Sequence, residues 1–151
     1  MTLLVRAVQS ADLDRVYVVM KENMLGYYQQ RKEPWNEQAL RRFFADLSGA
    51  VVEHKSGLAA FSFYEVHPNR LHIHTFQVAA EHQNRLIGGC LFKWYLELAR
   101  VLAVGSISCA VYEQNPALVL YLRLGFEERE RQAGVVHLSL AVGDPHELRH
   151  V

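Results

Sequence analysis

The sequence predicts a single α/β domain: a mixed, mostly antiparallel sheet with helices on both faces, in the order β-α-α-β-β-β-α-β-α-β-β. Three observations carry that prediction. Between residues 50 and 78, three strand-like runs follow one another with only short turns between them. From residue 70 to residue 112, a strand, a long amphipathic run and a second strand read as a right-handed crossover. The chain then closes on two runs, FEERERQ and GVVHLSLAV, around Ala133-Gly134, the pattern of a hairpin.

Each element has its own signal. LLVRAV, residues 3 to 8, reads as a short strand. Ser10 or Asp12 is placed to cap a helix over LDRVYVVMKENM, where Leu13, Val16, Met20 and Met24 recur at helical spacing and Gly26 is expected to interrupt. Pro34 precedes a second helix over WNEQALRRFFADL with a stripe of Leu40, Phe43, Phe44 and Leu47, and SGA at 48 to 50 should end it. AVVEHK, LAAFSFYEV and RLHIHTFQV then form a meander, turning at Ser56-Gly57 and at His67-Pro68-Asn69-Arg70.

The loop AAEHQNRLIGG leads to a helix over GCLFKWYLELARVL, with Leu91, Trp94, Tyr95, Leu98 and Leu102 on one stripe. SISCAVY alternates as a strand. NPALVLYLRLG is a helix with Pro116 in its first turn and Gly125 as its stop. FEERERQ and GVVHLSLAV make the closing hairpin, and the polar tail over residues 144 to 151 is expected to fray.

The 151 residues suffice for one domain spanning the whole chain, with a sizeable core. Lys plus Arg and Asp plus Glu both number 16, so no charge surplus calls for nucleic acid or an anionic membrane. Neither Cys90 nor Cys109 lies in a CxxC pair, and both read as reduced thiols in apolar surroundings. The N-terminus lacks a signal-peptide core and no apolar run would span a bilayer. A cytoplasmic protein without a membrane partner is the expectation.

The chemistry gathers at EHQNRLIGGCLF. A helix start directs N–H groups and a positive dipole end toward an anion such as pyrophosphate. Gly88 and Gly89 would let the backbone come close, and Arg85 could add a cation. Alternation puts His72 and His74 on one face of the preceding strand. As HxH, with His67 or His82, they could also bind zinc, but no carboxylate or cysteine is placed to complete a set, and no metal is expected. No GxSxG elbow suggests a hydrolase.

These residues resemble a family. FQVAAEHQNRLIGGCLF is similar to the acetyl-CoA signature of the GCN5-related N-acetyltransferases (GNAT), (Gln/Arg)-x-x-Gly-x-(Gly/Ala), with Gln83 first, Leu86 in place of the first glycine, Gly88 last and Val78 at the strand end. A second block, NPALVLYLRLGF, is similar to that family's Asn-…-Ala-x-x-x-Tyr-x-x-x-Gly-Phe segment at Asn115, Ala117, Tyr121, Gly125 and Phe126.

The resemblance implies acetyl-CoA as co-substrate and transfer of its acetyl group to a primary amine by direct attack in a ternary complex. The cofactor would be held by Phe76, Gln77 and Val78, by Gln83, Asn84, Arg85, Leu86, Ile87, Gly88 and Gly89, and by Asn115, Ala117 and Tyr121. Tyr121 would protonate the departing sulfur, and the Val78 N–H would face the thioester oxygen. His72, at the spacing of a family glutamate, would be the base, with Glu113 acting through water as its alternative and Glu22 a weaker one. Leu86 is compatible with this role provided its backbone avoids positive φ.

Tyr28, Trp35 and His74 are candidates for contacting a small-molecule or amino-acid-like amine acceptor, with Tyr27 and Phe44 as further pocket walls. Each of these side chains also has a plainer reading: Tyr121 packed on the sheet, Asn115 as a helix cap, His72 as a strand histidine, the aromatics as core. Relatives suggest a homodimer. The alternative function is an acyl-CoA-binding sensor of the same fold without efficient transfer.

Overall fold

A computed structural model describes residues 3–55, 57–83 and 85–143, and of Arg85 the backbone. Its elements are β1 (Leu4–Ala7), α1 (Leu13–Gln30), α2 (Glu37–Phe44), β2 (Ser48–His54), β3 (Gly57–His67), β4 (Arg70–Val78), α3 (Arg85–Leu102), β5 (Ser106–Tyr112), α4 (Ala117–Arg123), β6 (Glu127–Gln132) and β7 (Val135–Ala141), with single 3-10 turns at Ser10–Asp12 and Ala80–His82. The order is the one the sequence predicts. Ser56 of the expected hairpin turn and the tail over residues 144 to 151 lie outside the described residues.

The strands form one seven-stranded sheet in the order β1-β2-β3-β4-β5-β7-β6. β1 pairs antiparallel with β2, and β2 with β3. β4 and β5 run parallel from Arg70↔Ser106 to Ile73↔Cys109, and both strands continue beyond that pairing. β5 and β6 each pair antiparallel with β7. The chain divides into two compact units, Met1–Tyr64 with Thr75–Trp94, and Glu65–His74 with Tyr95–Val151, so β3, β4 and α3 each pass through both.

In the first unit, Val16, Tyr17, Val19 and Met20 of α1 pack with Phe44 of α2 and with Val51, Phe61 and Phe63 of β2 and β3. Burial of such side chains stabilises by ~1.5–3 kcal/mol each. Arg6 ties β1 to the turn before α1 through Asp12 at 2.8 Å, and reaches Glu53 at 3.2 Å. In the second unit, Tyr95, Ala99, Ile107, Tyr121, Phe126, Val136 and Leu138 are buried. The Asn69 side chain accepts the Gly105 N–H at 2.8 Å, tying the turn before β4 to the start of β5.

Four local expectations change. Gly26 does not interrupt α1, which runs on to Gln30, because a glycine costs a helix only about 1 kcal/mol against alanine. Neither Ser10 nor Asp12 caps α1 with its side chain; the Asp12 carboxylate instead takes the Gln9 N–H at 2.7 Å and the Arg6 guanidinium. α2 is shorter than predicted: Asn36 caps it, accepting the Ala39 N–H at 3.0 Å, and Phe43 points outward. Ser48-Gly49-Ala50 begins β2, and a Cβ at Gly49 would meet Val8 at 2.7 Å and Phe63 at 2.9 Å.

Candidate active site

The sequence places Gly88 and Gly89 in a loop before the helix. The structure starts α3 at Arg85, so both lie near its N-terminal end. The helix takes both glycines into its early turns, each at a cost of only about 1 kcal/mol against alanine. Leu86 is part of this helix and is not among the residues of positive φ. A leucine in place of glycine is therefore unstrained, and its side chain is exposed.

Gly88 and Gly89 have no positive φ either, and a Cβ at either position would meet nothing within 4 Å. Neither backbone strain nor packing within the protein requires glycine there. Both leave bare backbone at a helix end whose dipole favours an anion. That is the fit expected of a pyrophosphate cradle. Ile87, between them and Leu86, is buried and anchors the turn.

Side-chain amides hold the strand end that leads into this loop. The Asn23 amide of α1 donates to the Val78 carbonyl at 3.0 Å and to Gln77 Oε1 at 3.1 Å. Gln83 Nε2 donates to the same Val78 carbonyl at 3.2 Å, closing the loop on its own strand. Gln77 Nε2 donates to Thr75 Oγ1 at 3.0 Å, and Phe76 is half-buried beside it. Asn84 and the Arg85 side chain lie outside the described residues.

Tyr28 and Trp35, in the same unit, meet edge to face at 5.0 Å. Trp35 packs against the core, and its buried indole N–H has no hydrogen-bond partner among the described residues. Tyr27 is half-buried, Phe44 belongs to the core and Glu22 is exposed. A cavity of about 300 Å³ in this unit is lined by Leu13, Tyr17, Arg41, Phe44, Leu47 and Phe63 among others, and it includes neither Tyr28 nor Trp35.

The second unit carries Tyr121, His72, His74, Glu113, Asn115 and Ala117. Tyr121 sits where α4 ends. Gly125, at φ +105°, reverses the chain so that the Phe126 N–H reaches the Tyr121 carbonyl at 3.1 Å and the Gly125 N–H reaches Leu122 at 3.2 Å. This paired closure is the Schellman arrangement, and the Phe126 ring completes it against Tyr121 at 5.2 Å. Burial pushes the Tyr121 phenol well above its ordinary value, with Cys109 and Tyr95 adding to the rise. Its O–H therefore keeps its proton and remains a donor. Asn115 caps α4, accepting the Ala117 N–H at 2.9 Å.

His72 and His74 share one face as alternation requires, their rings edge to face at 4.6 Å. His72 Nδ1 lies 2.7 Å from Ser108 Oγ, and burial, with the nearby His74, Arg70 and His67 adding to the effect, lowers its pKa to about 4. His74 Nε2 lies 2.9 Å from Glu65 Oε1. The hydrogen bond from His74 holds the Glu65 carboxyl below the usual range, and His67 stands 3.8 Å from the same oxygen. Glu113 pairs with Arg131 at 3.4 Å, and its N–H donates to Gly134 at 2.9 Å.

Glu65 and Ser108 are partners that the sequence reading missed. The hairpin at Pro68-Asn69 was the available signal for Glu65; Ser108 depends on the β4–β5 register. Among the described residues, no group of three His, Cys, Asp or Glu is arranged to hold a metal ion, and no helix is long and apolar enough to cross a membrane.

Comparison with known proteins adds to this geometry. The profile of the Acetyltransferase (GNAT) family matches residues 8–126. No curated relative matches the chain by sequence. Several solved structures share the fold. The ribosomal-protein-S18-alanine N-acetyltransferase from Escherichia coli has a TM-score of 0.74 at 18% identity, covering 94% of this chain and 95% of that one. PaiA N-acetyltransferase from Thermoplasma acidophilum, in complex with coenzyme A, has a TM-score of 0.72 at 15% identity, covering 93% and 99%. Ard1 from Thermoplasma volcanium has a TM-score of 0.73 at 17% identity, covering 95% and 100%.

Proposed function

Because the chain belongs to the acetyltransferase (GNAT) family, we propose that it acts as one N-acetyltransferase domain that acetylates the primary amine of a small-molecule or amino-acid-like acceptor by direct attack in a ternary complex. Acetyl-CoA supplies the activated acetyl group as a thioester. The observation that best supports its use is the pair Gly88 and Gly89, glycines that neither strain nor packing demands, at the start of α3.

In this reading the α3 start, with Leu86 and Ile87 in its first turn, binds the pyrophosphate. Phe76, Gln77 and Val78 flank the pantetheine arm, and Asn23 and Gln83 keep that strand end in place. Asn115 and Ala117 border the cofactor from α4. Tyr121, protonated by virtue of its burial, gives its proton to the leaving sulfur. The acceptor ammonium loses its proton to the β4 face that bears His72 and His74. Glu113, paired with Arg131 at 3.4 Å, is the alternative acceptor of that proton, acting through water. Tyr28 and Trp35 contribute apolar contact to the acceptor.

Calorimetry with acetyl-CoA and a free-thiol assay over an amine panel test this function. Micromolar binding together with amine-dependent thiol release is the expected result. Binding without such release would instead establish an acyl-CoA sensor, and absence of binding would overturn both readings.

A further inference from the structure

We propose that Glu65 is the positioning residue of the proton-accepting step and that His74, which it holds, is the catalytic base. This inference rests on the N-acetyltransferase reading above. Glu65 Oε1 lies 2.9 Å from Nε2 of His74. A carboxylate can only accept there, so the bond fixes the tautomer with hydrogen on Nε2 and leaves the basic lone pair on Nδ1. The carboxylate also stabilises the imidazolium that forms when Nδ1 takes a proton.

His72 is suited to a different task. Its Nδ1 is engaged with the buried Ser108 hydroxyl at 2.7 Å, and its ring props that of His74 edge to face. Its low proton affinity, set by burial, agrees with a supporting role. The charged and titratable groups around the pair are Glu65 and His67 from β3, and Arg70 and His72 from β4; Ser108 of β5 is neutral.

The step balances as follows. Nδ1 of His74 takes one proton from the acceptor ammonium, and the imidazolium stays bonded to Glu65 through Nε2. The freed nitrogen lone pair forms the C–N bond to the acetyl carbon as the C–S bond breaks, its electron pair leaving on sulfur. Tyr121 gives its hydroxyl proton to that sulfur and regains one from the newly acylated nitrogen. His74 then releases its proton to solvent.

Glu65→Gln, Glu65→Asp, His74→Gln and His72→Gln test the assignment, with unchanged melting temperatures as the folding control. Glu65→Gln should lower kcat roughly 10- to 100-fold and leave KM for acetyl-CoA unchanged. Glu65→Asp should recover part of the rate. Independently of turnover, nitrogen NMR of histidine-labelled protein should show the His74 Nε2–H tautomer in the native chain and a tautomer mixture in Glu65→Gln.

A Glu65→Gln enzyme with native kcat would overturn the proposal. So would activity that survives His74→Gln but not His72→Gln. Native protein that binds acetyl-CoA yet acetylates no amine would instead sink the transferase reading, and the catalytic role with it, while the nitrogen spectrum would still report whether Glu65 holds His74.

Discussion

Tyr121 and His72 show how burial sets protonation in opposite ways that both leave the group neutral. Burial keeps the Tyr121 phenol protonated and keeps His72 unprotonated. If Tyr121 is the acid, Tyr121→Phe should lower kcat by roughly 10²-fold and leave acetyl-CoA affinity, read by calorimetry, within a factor of two or so. Equal losses in both would make Tyr121 a packing residue. His72 has a consequence for acid stability. Its folded pKa of about 4 lies below the ordinary 6.5, so below pH 6.5 the unfolded chain binds the extra proton first. Stability should therefore fall as pH drops from 6.5 toward 4, by on the order of 2 kcal/mol after allowance for partial exposure. Denaturant melts of His72→Gln should show a shallower loss over that window. At this scale Tyr121 was legible because a spaced motif surrounds it. Glu65 was not, because its role depends on which strand it faces, and a single chain read linearly does not state pairing register.

Among the elements, the start of α3 carries the most direct test. Alanine is the better helix former, and a Cβ at Gly88 meets open space. Gly88→Ala should therefore raise stability by about 0.5–1 kcal/mol in thermal melts, while weakening acetyl-CoA binding severalfold in calorimetry. An unchanged affinity would remove Gly88 from the cofactor site. The same residue shows why the helix boundary was misread. Paired glycines signal a turn in sequence, yet each costs a helix only about 1 kcal/mol, which the packing of an 18-residue helix offsets. Gly26 in α1 misleads in the same manner. The β6–β7 turn was legible because Ala133-Gly134 separates a charged run from an alternating one, and both residues adopt positive φ, at 53° and 77°. The shortening of α2 was hidden, because the Asn36 cap competes with an equally plausible start at Trp35.

For the molecule as a whole, element order could be read because strand and helix periods differ and each run is bounded by turn residues. The sheet order could not, since β7 lies between β5 and β6 only by long-range pairing. The two cysteines offer a test of the core of the second unit. Cys109 is 4% exposed, and burial pushes its thiol up to about 12, whereas Cys90 is half-buried. A thiol reagent at neutral pH should modify Cys90 alone in the native protein and Cys109 only on unfolding. Rapid labelling of both would contradict this packing. One further consequence follows from β6, an edge strand with every residue exposed and all but Gln132 charged. The chain has a pI of about 7.1, so near neutral pH it has no net repulsion to keep copies apart. Its colloidal behaviour then depends on local barriers, and a second chain approaching this edge meets Glu and Arg before it meets any backbone donor. Contact there is governed by ionic strength, so light scattering across a salt series, and not across temperature, is where self-association through β6 would become visible.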